Sequence, residues 1–314
     1  MSPTAERRFR FGVQVGSADS AGQWHEMARS AEATGYEQFA VTDHLTRQLA
    51  PVPAIMAAAD ATTRLQVGST VFANDFRHPA VLAKEIATLD VLSEGRVFVG
   101  LGAGWLRAEY DAAGLEMAST GVRIDRLAEA LVVMKGLWAG GPVSHAGQHY
   151  RLVELEGWPL PLQKPHPPIL IGGGGRRILS LAAREADIVG INVDLHGGTI
   201  GDFARAGAGS GEALEKIGWV RDAAGSRFES LELNVCVFTL AVTDEREAVI
   251  ARLARERGVD PEQVRSTPNV LIGTVDEIVE TLQGRRERLQ ISNVMVPYSQ
   301  HLAFAPVVER LSGR

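Results

Sequence analysis

The 314-residue sequence holds one cysteine, only four lysines and 6% aromatic residues. A lone cysteine, Cys236, excludes an internal disulfide or a thiolate-held metal within one chain. It stands in LELNVCVFTL, which reads as a buried strand, where a free thiol behaves as a small hydrophobe. No apolar run approaches the roughly 18 residues of a membrane span. The start, MSPTAERRFRFGV, lacks the apolar core of a signal peptide, so the expected location is cytoplasmic. A net charge of -6 argues against nucleic acid as the main partner, because a phosphate backbone needs clustered Lys and Arg. Lys84, Lys135 and Lys216 fall in expected helices and Lys164 in a proline-rich stretch, so a Schiff-base barrel is a poor fit. HExxH, carboxylate-rich metal motifs and GxSxG are also missing. With no evident nucleophile or metal, a bound organic cofactor has to supply the difficult chemistry.

What is present is a regular alternation. Strands are expected at Phe9 to Val15, in EQFAVTDHL, RLQVGSTVF and GRVFVGLGAG, and near 168–171, 187–191, 231–240 and 291–296. Helices separate most of them. One runs from about Gly22 to Gly35. Another starts at Pro79, where the missing N–H costs nothing, and carries Leu82, Ile86, Leu89 and Leu92. A third carries Ile124, Leu127, Leu131, Met134 and Trp138 on one stripe. Thr274 and Glu277 form a capping-box pattern before a later helix. Continuous apolar strands alternating with helices indicate a parallel sheet covered on both faces. Eight such units in this length fit an α/β fold of the (β/α)₈ TIM-barrel type, with a doubly wound sheet as the alternative. We expect a single domain over 1–314. Segments near 140–168, with six prolines, and 195–230, rich in Gly and Ala, read as insertions at the C-terminal face of the strands.

In a barrel, chemistry gathers where strands end. Strand two ends at Asp43 and His44, and an imidazole there can exchange a proton with a bound substrate. Strand three ends in small and hydroxyl residues that leave room for a flat ring. Strand four ends in Gly100, Gly102 and Gly104. The dinucleotide spacing GxGxxG fails, because Trp105 or Arg107 occupies the third glycine position. Strand five enters PPILIGGGGRRILSL, four glycines before a helix start. That run lacks the Lys-Ser/Thr ending of a P-loop, yet it presents free N–H groups and a positive dipole end beside Arg176 and Arg177. It reads as a phosphate cradle.

Taken together, FGVQ, VTDHL, FRHPAVLAKEIATLDVLSEGRVFVGLGAGW, PPILIGGGG…AREADIV and IGTVDEIVETLQGRRERLQISNVMV resemble the luciferase-like monooxygenase superfamily. Within it the sequence is most similar to the branch of oxidoreductases that use the deazaflavin coenzyme F420. The resemblance implies a ring over the barrel mouth, backed by a non-prolyl cis peptide between Thr70 and Val71. It implies that the cofactor reaches Gly102, Ala103 and Gly104 and the loop of Gly173, Gly174, Gly175, Arg176 and Arg177. His44 then moves the proton that accompanies hydride transfer to or from a small organic substrate, with Asp43 holding cofactor or local structure. Sugar-phosphate dehydrogenases of the family carry an acid after the strand-four glycines, where this chain has Trp105. That disfavours glucose 6-phosphate, although Glu109 stands nearby. Two alternatives stay open: an FMN-dependent monooxygenase supplied by a partner reductase, and a non-redox barrel that binds a phosphorylated ligand. A homodimer is implied by the resemblance alone.

Overall fold

A computed structural model describes residues 7–194 and 210–314. Eight parallel strands close a barrel: β1 (Arg10–Val15), β2 (Gln38–Val41), β3 (Gln66–Ser69), β5 (Val97–Gly102), β8 (Ile169–Gly173), β9 (Ile188–Ile191), β10 (Glu232–Cys236) and β13 (Ile291–Pro297). Around the ring they run β1, β2, β3, β5, β8, β9, β10, β13 and back to β1, with β3–β5 and β1–β13 pairings completing the closure. The short β4 (Phe72–Ala73) continues β3 beyond Thr70–Val71, whose peptide is cis, and pairs with the end of β5. The fold is a (β/α)₈ barrel.

The helices include those expected from about Gly22, from Pro79, along Ile124 to Trp138 and after Thr274, and others not singled out in the sequence. They are α1 (Ala21–Ala33), α2 (Pro51–Asp60), α3 (Pro79–Leu92), α4 (Arg107–Ala113), α5 (Thr120–Ala139), α6 (Arg176–Glu185), α7 (Ser210–Ala224), α8 (Arg246–Arg257), α9 (Pro261–Ser266), α10 (Val275–Leu289) and α11 (His301–Leu311). Pro79 opens α3, and Thr274 with Glu277 closes a reciprocal capping box on α10. The main core lies between strands and helices, where Phe9, Phe11, Phe39, Leu82, Ile86, Leu131 and Phe304 are fully buried or nearly so. Each such side chain contributes about 1.5–3 kcal/mol by leaving water.

Side chains alternate in and out along each strand, and the inward set is layered. At the base, Asn293 donates to Gln38 and Glu232 while Asn234 donates to Asn293; Arg10 reaches Glu232 and Gln66. This polar plug closes the bottom. Above it Ala40, Phe98 and Met295 form a small apolar layer with Cys236 against it. Higher still, on β8 and β9, Gly172 and Gly190 lie opposite one another and leave that side of the barrel hollow.

The run at 231–240 differs from its expected single strand. β10 ends at Cys236, and β11 (Thr239–Val242) leaves the barrel to pair with β12 (Val270–Gly273). The reason is local: the N–H groups of Phe238 and Thr239 turn to Asn269 O, whose side chain in turn donates to Cys236 O. The segment 140–168 forms an antiparallel hairpin, β6 (Pro142–Ala146) and β7 (Arg151–Glu156), outside the barrel sheet. Of the segment 195–230, α7 and a short 3-10 turn (Gly225–Ser230) are described, and 195–209 lies outside the described residues.

Candidate active site

The C-terminal mouth of the barrel holds a cavity of about 620 Å³. Toward the barrel interior it is lined by Gln14, Thr70, Leu170, Gly172, Gly190, Asn234 and Cys236. Burial pushes the Cys236 thiol up to about 12, so at neutral pH it is not a nucleophile.

His44 follows β2 and lines the cavity. Its Nδ1 lies 2.9 Å from Glu109 Oε2, while Glu109 Oε1 accepts the Leu45 N–H at 2.9 Å. Glu109 rides on α4, a seven-residue helix pinned by the buried Tyr110. A carboxylate in this place accepts from Nδ1–H, leaving Nε2 as the nitrogen able to take a proton. The indole of Trp105 stands edge-on to the imidazole, ring centres 6.0 Å apart.

Asp43 is buried and turned away from His44. Its oxygens take the Arg77 guanidinium in a fork (2.5 and 3.1 Å) and the Ala73 N–H (3.0 Å). It therefore ties the end of β2 to the loop after the cis peptide. Gln14 supports the same bulge by donating to the carbonyl and hydroxyl of Thr70. Asn74 in the following loop donates to Tyr150 of the hairpin.

Thr70, Val71, Ala103 and Gly104 line the cavity, whereas Gly102 does not. A Cβ on Gly102 would stand 2.6 Å from Val71 Cγ2, so this glycine makes room for the bulge. Gly104 has φ +77°, a left-handed conformation that costs other residues about 1 kcal/mol or more. Arg123, buried on α5, donates to the carbonyls of Ala103, Gly104 and Ala118 and to Thr120 Oγ1, bracing this turn.

Gly173, Gly174, Gly175 and Arg176 also line the cavity. Two of the glycines answer to the protein's own packing. A Cβ on Gly173 would collide with the Ile178 side chain, and one on Gly174 with the backbone of Val193 and Asp194. Gly175 is different: the nearest atom to a Cβ there is Asp194 Oδ2 at 3.9 Å. It is the N-cap of α6 and has no side chain to cap the helix. The first backbone bond of α6 is made by Leu179 N–H. The N–H groups of Arg176, Arg177 and Ile178 thus have no partner among the described residues, and the helix dipole adds positive potential there. Arg176 makes no ion pair among the described residues, while Arg177 pairs with Asp125. This end of the cavity suits a phosphate.

His44, Asp43, Thr70, Val71 and the glycine turn, singled out in the sequence, all line this one cavity. Sequence reasoning left open whether Glu109 acts at the site, and it did not single out Arg77 as the partner of Asp43, Gln14 or Arg123. Lys216, assigned to a helix, does reach a strand end. Its ammonium donates to Asn192 O at 2.9 Å and pairs with Glu212, outside the cavity wall. Among the described residues no cluster is suited to hold a metal ion, and no helix is long and apolar enough to cross a membrane.

The site is thus a cavity at the strand ends of a barrel, with the hydrogen-bonded His44–Glu109 pair on one side and an uncapped helix N-terminus on the other, an arrangement able to hold a phosphorylated cofactor. The chain belongs to the luciferase-like monooxygenase family, whose model matches residues 8–292. It is 28% identical over 267 residues to an FMNH(2)-dependent dimethylsulfone monooxygenase of Pseudomonas putida, covering 81% of this chain and 69% of that protein. It is 32% identical to an F420-dependent glucose-6-phosphate dehydrogenase of Amycolatopsis mediterranei, over 56% of each chain. An F420-dependent hydroxymycolic acid dehydrogenase of Mycobacterium tuberculosis is 32% identical over 51% of this chain and 46% of its own. The chain thus spans only about half the length of these two F420-dependent relatives. Among solved structures, the F420-dependent tetrahydromethanopterin reductase of Methanopyrus kandleri superposes with a TM-score of 0.74. That match covers 96% of this chain and 97% of the reductase at 19% identity. The named relatives are dehydrogenases and monooxygenases, so the family is one of oxidoreductases.

Proposed function

We propose that the protein is an F420-dependent oxidoreductase that exchanges hydride with a small organic substrate. The observation that carries this reading is one cavity joining an uncapped helix N-terminus to the His44–Glu109 pair across the Thr70–Val71 bulge. The residues fit the cofactor: Arg176, Arg177 and Ile178 N–H groups would hold its phosphate, and Gly172 and Gly190 leave depth for a flat ring. When bound, F420 supplies a ring carbon that accepts or donates hydride. His44 Nε2 takes or returns the accompanying proton, and Glu109 holds the imidazole in the tautomer that permits this. Asp43 with Arg77, and Gln14, keep in place the bulge against which the ring would rest.

The longer match to the dimethylsulfone monooxygenase favours a second reading, in which reduced FMN from a partner reductase occupies the same cavity. Fluorescence titration with F420 and, separately, FMN discriminates. The expected result is at least tenfold tighter F420 binding, about 1.4 kcal/mol. The reverse preference replaces the hydride reading by an oxygen-dependent one. Binding of neither removes the phosphate cradle.

A further inference from the structure

The two ends of the cavity differ in how their charges are spent. At the α6 end three N–H groups and the Arg176 guanidinium have no partner among the described residues. At the His44 end the ionic side chains among the described residues are committed. Glu109 serves His44 and the Leu45 N–H. Asp43 is held by the Arg77 fork and the Ala73 N–H. Arg123 reaches the wall but spends its donors on three backbone carbonyls and Thr120 Oγ1. The rest of that wall is uncharged: Trp105, Leu106, Phe76 and Tyr110, whose hydroxyl donates to Asp75, together with Thr120, Gln48 and Thr42, the last donating to the Gln48 side-chain oxygen.

A phosphate or carboxylate beside His44 would have to shed its water, stand near the Glu109 carboxylate and find no uncommitted guanidinium among the described residues in return. A neutral hydroxyl sheds less and can donate to Nε2, and a carbonyl can accept from Nε2–H once the imidazole has taken its proton. The ends are also well separated around the ring, since β2 and β8 are divided by β3 and β5. In the proposed reading the groups at α6 are taken by the cofactor's phosphate.

We infer that the substrate group facing His44 is uncharged and that its aromatic or aliphatic body packs on Trp105: a neutral alcohol or carbonyl compound, not a phosphate ester or a carboxylate. This rests on the reading of the cavity as a joint cofactor and substrate site. It separates the chain from its sugar-phosphate relative by charge, and it makes Trp105 a specificity residue.

The test uses two probes of one skeleton, acetophenone and 4-acetylbenzoate, titrated by ligand-observed NMR into the protein with and without F420. Wild type is expected to bind the neutral ketone at least tenfold more tightly than the carboxylate. Trp105→Arg, at a partly buried position, is expected to bring the carboxylate level with the ketone or ahead of it. Equal or tighter binding of the carboxylate by wild type, or binding of neither probe, overturns the inference. An unchanged preference in Trp105→Arg removes Trp105 from the role. F420 binding is followed separately by its fluorescence: probe discrimination without F420 binding sinks the cofactor reading alone, and F420 binding without discrimination sinks the substrate inference alone.

Discussion

The α6 end of the cavity is made of backbone, and the His44 end is made of side chains. At α6, Gly173 and Gly174 let β8 pass close to Ile178 and β9, and the turn leaves N–H groups exposed because nothing caps them. At His44, five side chains from the loops after β2, β4 and β5 and from α4 satisfy one another: His44 with Glu109, Asp43 with Arg77, and Trp105 against the imidazole. A backbone site is generic and grips an anion wherever one is offered. A satisfied side-chain site is selective, because any group that enters must match what has been left over, here one imidazole nitrogen.

If that contrast is right, single substitutions at the two ends should fail in different ways. The largest effect belongs to the side-chain end. His44→Ala is expected to lower kcat by about 10²–10⁴-fold, the usual worth of a general acid–base group, while F420 affinity changes little. Steady-state kinetics paired with fluorescence titration reads both, and a parallel loss of cofactor binding would erase the division between the ends. Next come two neighbouring glycines. Gly174→Ala forces a Cβ onto the Val193 backbone and is expected to cost about 1–3 kcal/mol of stability, as overpacking does. Gly175→Ala points into open space and should stay within about 0.5 kcal/mol. Denaturant unfolding of the pair separates glycine needed for packing from glycine merely present, and equal losses would refute the distinction. The smallest effect is expected for the exposed Arg176. Its replacement by Ala should weaken F420 binding by about 0.2–1 kcal/mol, with kcat unchanged and the difference shrinking as salt is raised. Salt-insensitive loss in the same titration would mean that Arg176 acts by contact and not by charge.

Much of the fold was legible because it is local. Pro79, Leu82, Ile86 and Leu89 announce α3 by position and spacing, and Thr274 with Glu277 announces the start of α10. The strand at 231–240 was legible only in part. Nothing within LELNVCVFTL reveals that Asn269 will capture its middle and divert its end to β12. His44 and Asp43 could be placed at a strand end, but their adjacency in sequence misleads about partnership. Successive side chains on an extended chain diverge, so each took its partner from elsewhere.

The sequence by itself determined that this chain alternates strand and helix, that its strands are buried on both faces, and where strand ends carry polar residues and glycines. Those properties follow from periodicity and from backbone preferences that each segment carries alone. Tertiary structure decided which groups meet: Glu109 with His44 across 65 positions, Arg77 with Asp43 across 34, Arg123 with the carbonyls that shape the β5 turn. It also decided that Gly174 serves β9 while the N–H groups beyond Gly175 stay open. A hydrogen bond belongs to two residues at once, and only closure of the barrel brings the second one within reach.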